Sequence, residues 1–270
     1  MDWCLKRIWP TFCLAVALVA VGCPGCKNRS QRTVNVVGST SIQPFAELLA
    51  GELHKKAPDL EIDVQGGGST AGIQALATGI ADIGTCSRSL SAEETKLYKG
   101  IVIARDGLAV VVHQDNPIDG LTRQQIQDLF SGKITNWRDV GGRDMKVRPI
   151  SREEGSGTRE AFTKLVMDKV RVARSALTQE SNGAVKELVR GDPGAIGYMS
   201  LGLSGGLKCL SIDGVAPSTS AVTSGQYPLV RPFLFVVRGA CRPEAQRFID
   251  FVLSSEGQRL LESEGLVKVQ

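Results

Sequence analysis

Three features of the sequence predict an α/β architecture, with parallel sheets covered by helices on both faces. Apolar strand-like runs alternate with amphipathic helical stripes along most of the chain. At 270 residues, 42% hydrophobic and 22% charged, the composition is that of a folded chain with room for one large domain or two modest ones. No period of roughly 20–50 residues repeats, which excludes a solenoid.

The first segment is read separately from the fold. "MDWCLKRIWPTFCLAVALVAVGC" has a basic start at Lys6 and Arg7, an apolar run, and small residues before Cys23. This is the pattern of an export signal over residues 1–22, short for a membrane span. "AVG" before Cys23 is similar to a bacterial lipobox, which makes Cys23 the candidate lipidation site. A plain cleaved signal and an uncleaved anchor remain the alternatives. Residues 23–32 are polar and basic and read as a tether.

"TVNVVG" is then a strand, and "IQPFAELLAGELHKK" a helix with its stripe at Phe45, Leu48, Leu49 and Leu53. "LEIDVQG", "TAGIQALATG" and "ADIGTCS" continue as strand, helix, strand. "IVIARDGLAVVVHQ" is a long extended stretch, followed by the helix "TRQQIQDLFSG". "MKVRPISR" is a strand and "TREAFTKLVM" a helix. "AIGYMS" and "FLFVV" are short strands, with a Gly/Ser/Thr-rich stretch of loops and short strands between Ser200 and Tyr227. One terminal helix, "PEAQRFIDFVLSSEGQRLLESEG", is expected to close the chain.

A net charge of +4 without a lysine-rich block argues against nucleic acid as a partner. Neither a phosphate-binding GxxxxGK[ST] loop nor a dinucleotide fingerprint is present, so no cofactor is expected. Two scattered histidines, His54 and His113, and cysteines without CxxC spacing beyond Cys26 give no metal set. "GLSGG" at 202–206 matches a hydrolase nucleophile pattern, but it lies in a polar stretch with no histidine after it. Cys209 and Cys241 are free thiols or one optional bridge.

One local pattern recurs at three strand-to-helix junctions: "VVGSTSIQPF", "VQGGGSTAGIQAL" and "PISREEGSGTREAF". Each puts hydroxyls and glycines where a helix exposes unpaired N–H groups and its positive end. A single such junction is most simply an N-cap. Three together, one with Arg152 four residues before Ser156, point to a shared anion site in which glycines let backbone amides approach and an arginine can hold two oxygens. Glu153 and Glu154 either fix the arginine fork, accept a ligand proton, or are solvated.

With these residues in view, the chain resembles the phosphate-binding proteins of high-affinity phosphate ABC transporters, the PstS type. "VVGSTSIQPFAELLA", "GGGSTAGIQALATGIADIGTCSRSL", "DGLAVVVHQDNP", "LTRQQIQDLFSGKITNWRDVGG", "SREEGSGTREAF" and "GAIGYMS" follow that family's order. The resemblance implies a two-lobed type II periplasmic-binding-protein fold with hinge-crossing strands near "GLAVVVHQ" and "YPLVRPFLF". Lobe 1 would be residues 33–112 plus 229–270, and lobe 2 residues 113–228. It implies no enzyme, but an exported, lipid-anchored monomer at the outer face of the cytoplasmic membrane or in the periplasm. Its partners would be inorganic phosphate, the permease subunits of an ABC transporter, and the membrane through the N-terminal lipid. Carried over residue by residue, the phosphate ligands would be Ser39, Thr40, Ser41, Ser69, Arg152, Ser156, Gly157 and Thr158. Ser87 and Arg88, also expected among the phosphate ligands, stand where well-known members have a proton-accepting aspartate. The alternatives are another tetrahedral oxyanion (sulfate, molybdate or tungstate), a phosphate sensor uncoupled from transport, or an enzyme on phosphate esters.

Overall fold

The computed structural model describes residues 32–269. The export signal, residues 23–31 of the tether and Cys23 lie outside the described residues.

The chain opens with β1 (Thr33–Gly38), α1 (Gln43–Lys56), β2 (Glu61–Gly66), α2 (Ser69–Ala77) and β3 (Ile83–Cys86). β1 alternates, burying Val34, Val36 and Gly38 while Thr33, Asn35 and Val37 are half-buried, as a pleated strand must. α1 starts with a proline in its first turn and ends on His54, Lys55 and Lys56, placing positive charge at the negative end of the helix. β1 pairs in parallel with both β2 and β3.

A short α3 (Glu94–Leu97) leads to β4 (Lys99–Val112), a 14-residue strand. After it come β5 (Gly120–Leu121), α4 (Arg123–Ser131), β6 (Arg148–Arg152), α5 (Gly157–Phe162), β7 (Leu177–Gln179), α6 (Asn182–Gly191) and β8 (Ala195–Ser200). Thr122 and Gln125 form a reciprocal capping box at α4, and Gly132 ends it in the left-handed region. α5 runs directly into one π-helical turn, Thr163–Met167. α6 lies in a stretch that the sequence reading leaves unassigned; Ser181 caps it by accepting from the Ala184 N–H.

The Gly/Ser/Thr-rich stretch holds β9 (Lys208–Cys209), β10 (Ser211–Ile212) and α7 (Thr219–Thr223). β11 (Val230–Val237) follows. The expected single terminal helix is two helices, α8 (Pro243–Leu253) and α9 (Ser255–Ser263). Ser254 is extended there, and its hydroxyl accepts from the Gly257 N–H at 3.2 Å, so it ends one helix and caps the next. Periodicity alone does not register the break, because both helices bury an apolar stripe.

The main sheet runs β2-β1-β3-β11-β4-β8-β6-β7. Its two wings are parallel, as expected. Its centre is antiparallel, because β11 pairs with β3 and β4, and β4 with β8. The long β4 contributes to the two largest apolar cores, and Ala109 and Val111 on its other face pack with Ile150, Val185 and Met199. Ile103 and Ala104 pack with Val34, Phe45, Phe233 and Phe248, whereas Leu108, Val110 and Val112 pack with Phe130, Trp137, Phe162 and Tyr198. β11 divides in the same way, Phe233 lying in the first core and Val230 against the second. Residues 105–107 and 231–232 therefore lie where the chain passes from one core to the other.

Trp137, from the "KITNW" segment, is fully buried in the second core and donates from Nε1 to the Gly194 carbonyl at 3.0 Å. Asn136 beside it accepts from the Arg138 and Met145 N–H groups at 3.0 and 3.2 Å. This segment is scaffold, not site. Cys86, Cys209 and Cys241 are free thiols. Among the described residues, no helix is long and apolar enough to cross a membrane and no His/Cys/Asp/Glu group could hold a metal ion.

Candidate anion site

The three junctions singled out in the sequence converge. The first follows β1: the Ser39 N–H donates to the Thr85 carbonyl at 3.1 Å, and the Ser39 hydroxyl accepts from the Ser41 N–H at 3.2 Å. Gly38 (φ 145°) must be glycine here, since a Cβ would lie 2.3 Å from the Thr85 oxygen. The second junction opens α2, with Ser69 fully buried and its hydroxyl accepting from the Ser87 N–H at 3.1 Å. The third follows β6, where Ser156 caps α5 by accepting from the Arg159 N–H at 3.3 Å.

Contacts across the two cores join these loops. The Ser41 and Thr158 hydroxyls are 2.7 Å apart. Thr70 N–H donates to the Gly155 carbonyl at 3.1 Å. A Cβ on Gly157 would meet the Ser69 and Ser87 hydroxyls at 2.2 and 2.8 Å, so the backbone passes directly over them. Ser39, Ser41, Ser69, Ser87, Ser156 and Thr158 are all buried, a density of hydroxyls that an apolar core would not tolerate without partners.

Arg152 lies at the end of β6. Tyr198 sets that end: its hydroxyl accepts from the Arg152 N–H at 3.2 Å and lies 2.9 Å from the Ser151 hydroxyl, while its ring stacks on Phe162 at 3.9 Å. The Arg152 side chain is 1% exposed. Its Nε donates to Glu153 and to the Gln179 carbonyl, and its Nη2 to Glu153, the Glu180 carbonyl and the Thr40 hydroxyl, all at 3.0–3.1 Å. Glu153 is thus the acid that holds the fork. Arg152 Nη1 is buried and has no hydrogen-bond partner. An unsatisfied guanidinium N–H₂ costs the desolvation of a charged donor, roughly 1–3 kcal/mol or more. A terminus of this kind, held by four acceptors and left open at one nitrogen, suits an oxyanion.

Arg88, expected among the anion's ligands, is bound by carboxylates instead. Nη1 and Nη2 donate to Glu94 at 2.7 and 2.9 Å, and Nε lies 2.7 Å from Glu160 off the N–H axis, an ion pair without a directed hydrogen bond. The Arg88 hydrogen bonds hold the Glu94 carboxyl well below the usual range, at about 2. The guanidinium is therefore spent on two carboxylates. Together with Leu90, Glu154, Arg159 and Lys164 it lines an open cleft of about 680 Å³. Glu154 faces this cleft and does not join the Arg152 fork.

Three residues absent from the sequence reading complete the cluster: Asp106 on β4, Asn182 at the start of α6, and Arg231 on β11. Arg231 Nε donates to Asp106 at 2.9 Å, and its Nη1 and Nη2 reach the Thr158 and Ser41 hydroxyls at 2.7 and 3.2 Å. Ser200 donates to the other Asp106 oxygen at 2.8 Å. Burial pushes the Asp106 carboxyl upward, and the adjoining guanidinium opposes that shift. The available signal is a charged residue inside each of two apolar strands, Asp106 beside Arg105 in "IARDGLAVVV" and Arg231 in "LVRPFLF". Two buried charges of opposite sign require each other.

The PBP superfamily domain model matches residues 27–256. A crystal structure of a phosphate ABC transporter substrate-binding protein from Clostridium perfringens with bound phosphate superposes with a TM-score of 0.85 at 38% identity, covering 88% of this chain and 100% of that one. An ABC-type phosphate transport receptor from Vibrio cholerae is 36% identical, with a TM-score of 0.73 over 87% of this chain and 99% of that one. The phosphate-binding protein PstS of Bacillus subtilis (strain 168) is 29% identical over 249 residues, 90% of this chain and 83% of that protein.

Proposed function

Because the chain belongs to the PBP superfamily, and within it to the PstS-type phosphate-binding proteins, we propose that it is an extracytoplasmic receptor that binds inorganic phosphate between two lobes and delivers it to an ABC permease. The observation that carries this reading is the open Nη1 of buried Arg152, surrounded by the hydroxyls of three junctions. No bond is made or broken. Affinity comes from many dehydrated hydrogen bonds, the charge-assisted ones from Arg152 being the strongest.

The ligands in this reading are Ser39, Thr40, Ser69, Ser87, Arg152, Ser156, Gly157 and Thr158; Ser41, expected among them, has its hydroxyl engaged with Thr158, Asn182 and Arg231 instead. Arg88 serves the contact between lobes instead, through Glu160. The lobe boundaries expected at 112/113 and 228/229 move in this reading, because Leu108, Val110 and Val112 pack in the second core: lobe 1 comprises β1 to the first half of β4 together with the C-terminal part of β11, α8 and α9, and lobe 2 the segment between the crossings. Donors from both lobes meet only when the cleft is shut, so ligand draws the population toward closure. Lipidation at Cys23, a monomeric state and permease delivery are parts of the same proposal. "AVG" before Cys23 supports the first, and the names of the relatives support the last.

The test is calorimetric titration of the ligand-stripped protein with phosphate, then with sulfate and molybdate. Phosphate binding that survives excess sulfate is the expected result. Binding of another oxyanion with no response to phosphate would overturn the ligand and keep the cleft.

A further inference from the structure

Behind the ligand hydroxyls stands a second set of buried donors whose arrangement fixes where each hydroxyl proton points. A hydroxyl has one proton to donate and two lone pairs to accept with. The Asn182 amide is oriented by its oxygen, which accepts from the Ser200 N–H at 3.2 Å. Its Nδ2 therefore faces the cluster, 2.9 Å from the Ser41 hydroxyl and 3.5 Å from that of Thr40. Arg231 is locked by Asp106 and donates to Ser41 and Thr158.

Counting lone pairs settles the directions. Ser41 accepts from Asn182 and from Arg231, so both its lone pairs are filled and its proton goes to Thr158, 2.7 Å away. Thr158 accepts from Ser41 and from Arg231, so it can only donate, and no acceptor for its proton exists among the described residues. Thr40 accepts from Arg152 and from Asn182 and is left in the same condition. Three donors thus have no acceptor: the protons of Thr40 and Thr158, and Nη1 of Arg152.

Resting on the phosphate reading, we propose that Asn182 and Arg231 are positioning residues that fill the acceptor sites of Thr40, Ser41 and Thr158, turning Thr40 and Thr158 into obligate donors toward the bound oxyanion. They act through the hydroxyls. Without them each hydroxyl can rotate, accept as well as donate, and meet a phosphate oxygen with a lone pair as easily as with a proton.

The experiment is a double-mutant cycle on the purified full chain, read by calorimetric titration with potassium phosphate, with a thermal melt of every variant. Asn182→Ala is expected to weaken binding about tenfold or more in the otherwise native chain. In a Thr40→Val background, where one of the two hydroxyls it orients is gone, it is expected to cost less than half as much on a logarithmic scale. Equal cost in both backgrounds would overturn the proposal, because Asn182 would then act independently of the Thr40 hydroxyl. Arg231→Lys keeps the charge beside Asp106 but lacks the fork that spans two hydroxyls. It too is expected to weaken binding tenfold or more, and unchanged affinity in a folded Arg231→Lys variant would count against the proposal. Failure of the native chain to bind phosphate would remove the functional reading itself, an outcome separate from additivity in the cycle.

Discussion

At the scale of single residues, the guanidinium of Arg152 determines what the site can hold. Its fork satisfies Glu153, two backbone carbonyls and Thr40 while leaving Nη1 open. A lysine carries the same charge but presents one compact ammonium and cannot span this acceptor set. Arg152→Lys is expected to cost about 1.5–3 kcal/mol of phosphate binding, roughly tenfold to a hundredfold in Kd, by titration calorimetry. Gly157→Ala probes a different limit. The added methyl would collide with the Ser69 and Ser87 hydroxyls, so the variant is expected to fold normally yet bind phosphate far more weakly. Circular dichroism and titration together check both halves of that statement. Most residues of this site were legible because hydroxyl- and glycine-rich junctions with an arginine form a local pattern. Asp106, Asn182 and Arg231 were not, because their partners are remote in sequence and each alone is one polar residue in an ordinary element. Arg88 shows the converse: its position in the sequence is that of a ligand, while in the fold Glu94, six residues on, binds its guanidinium.

At the scale of elements, the strand–helix alternation was readable throughout the first wing because burial there follows period. The sequence pattern predicts one terminal helix because the break depends on Ser254 being extended, a backbone event without a breaker residue at that point. α6 escapes the sequence pattern because its apolar stripe, Val185, Leu188 and Val189, covers little more than one turn. Trp137 carries much of the second core, so Trp137→Ala is expected to destabilise the protein by about 3–5 kcal/mol in chemical denaturation. The link from α3 to Arg88 has a pH signature. Glu94 is held down at about 2 by Arg88, from an ordinary value of 4.5. A carboxyl lowered on folding adds stability above its unfolded value, and that gain disappears as pH falls through the folded one. The stability difference between the native chain and Glu94→Gln is therefore expected to be constant near neutrality and to shrink between pH 4.5 and about 2, measured by urea titration at several pH values.

At the scale of the molecule, the two cores are joined by β4 and β11 and by contacts across the cleft. Arg88 reaches Glu160 from the opposite side, and Thr70 reaches Gly155. The Glu160 side chain is 45% exposed, so this ion pair is worth at most about 1 kcal/mol. Glu160→Gln is expected to speed phosphate release by up to about fivefold with little change in association, in stopped-flow measurements. The antiparallel joint was only partly legible: both crossing stretches were recognisable as extended and apolar, but their pairing with each other joins residues more than a hundred positions apart. That pairing also governs how the chain can fold. β3 pairs with β1 on one side and needs β11 on the other, while the first core takes Phe233, Phe235, Phe248 and Ile249 from the end of the chain. The segment between the crossings can collapse on largely local contacts as soon as it is made. The first core must wait for the last forty residues or so, leaving the β3 edge unpaired in the meantime, so emergence of the C-terminus paces maturation and the waiting edge is the point most exposed to aggregation.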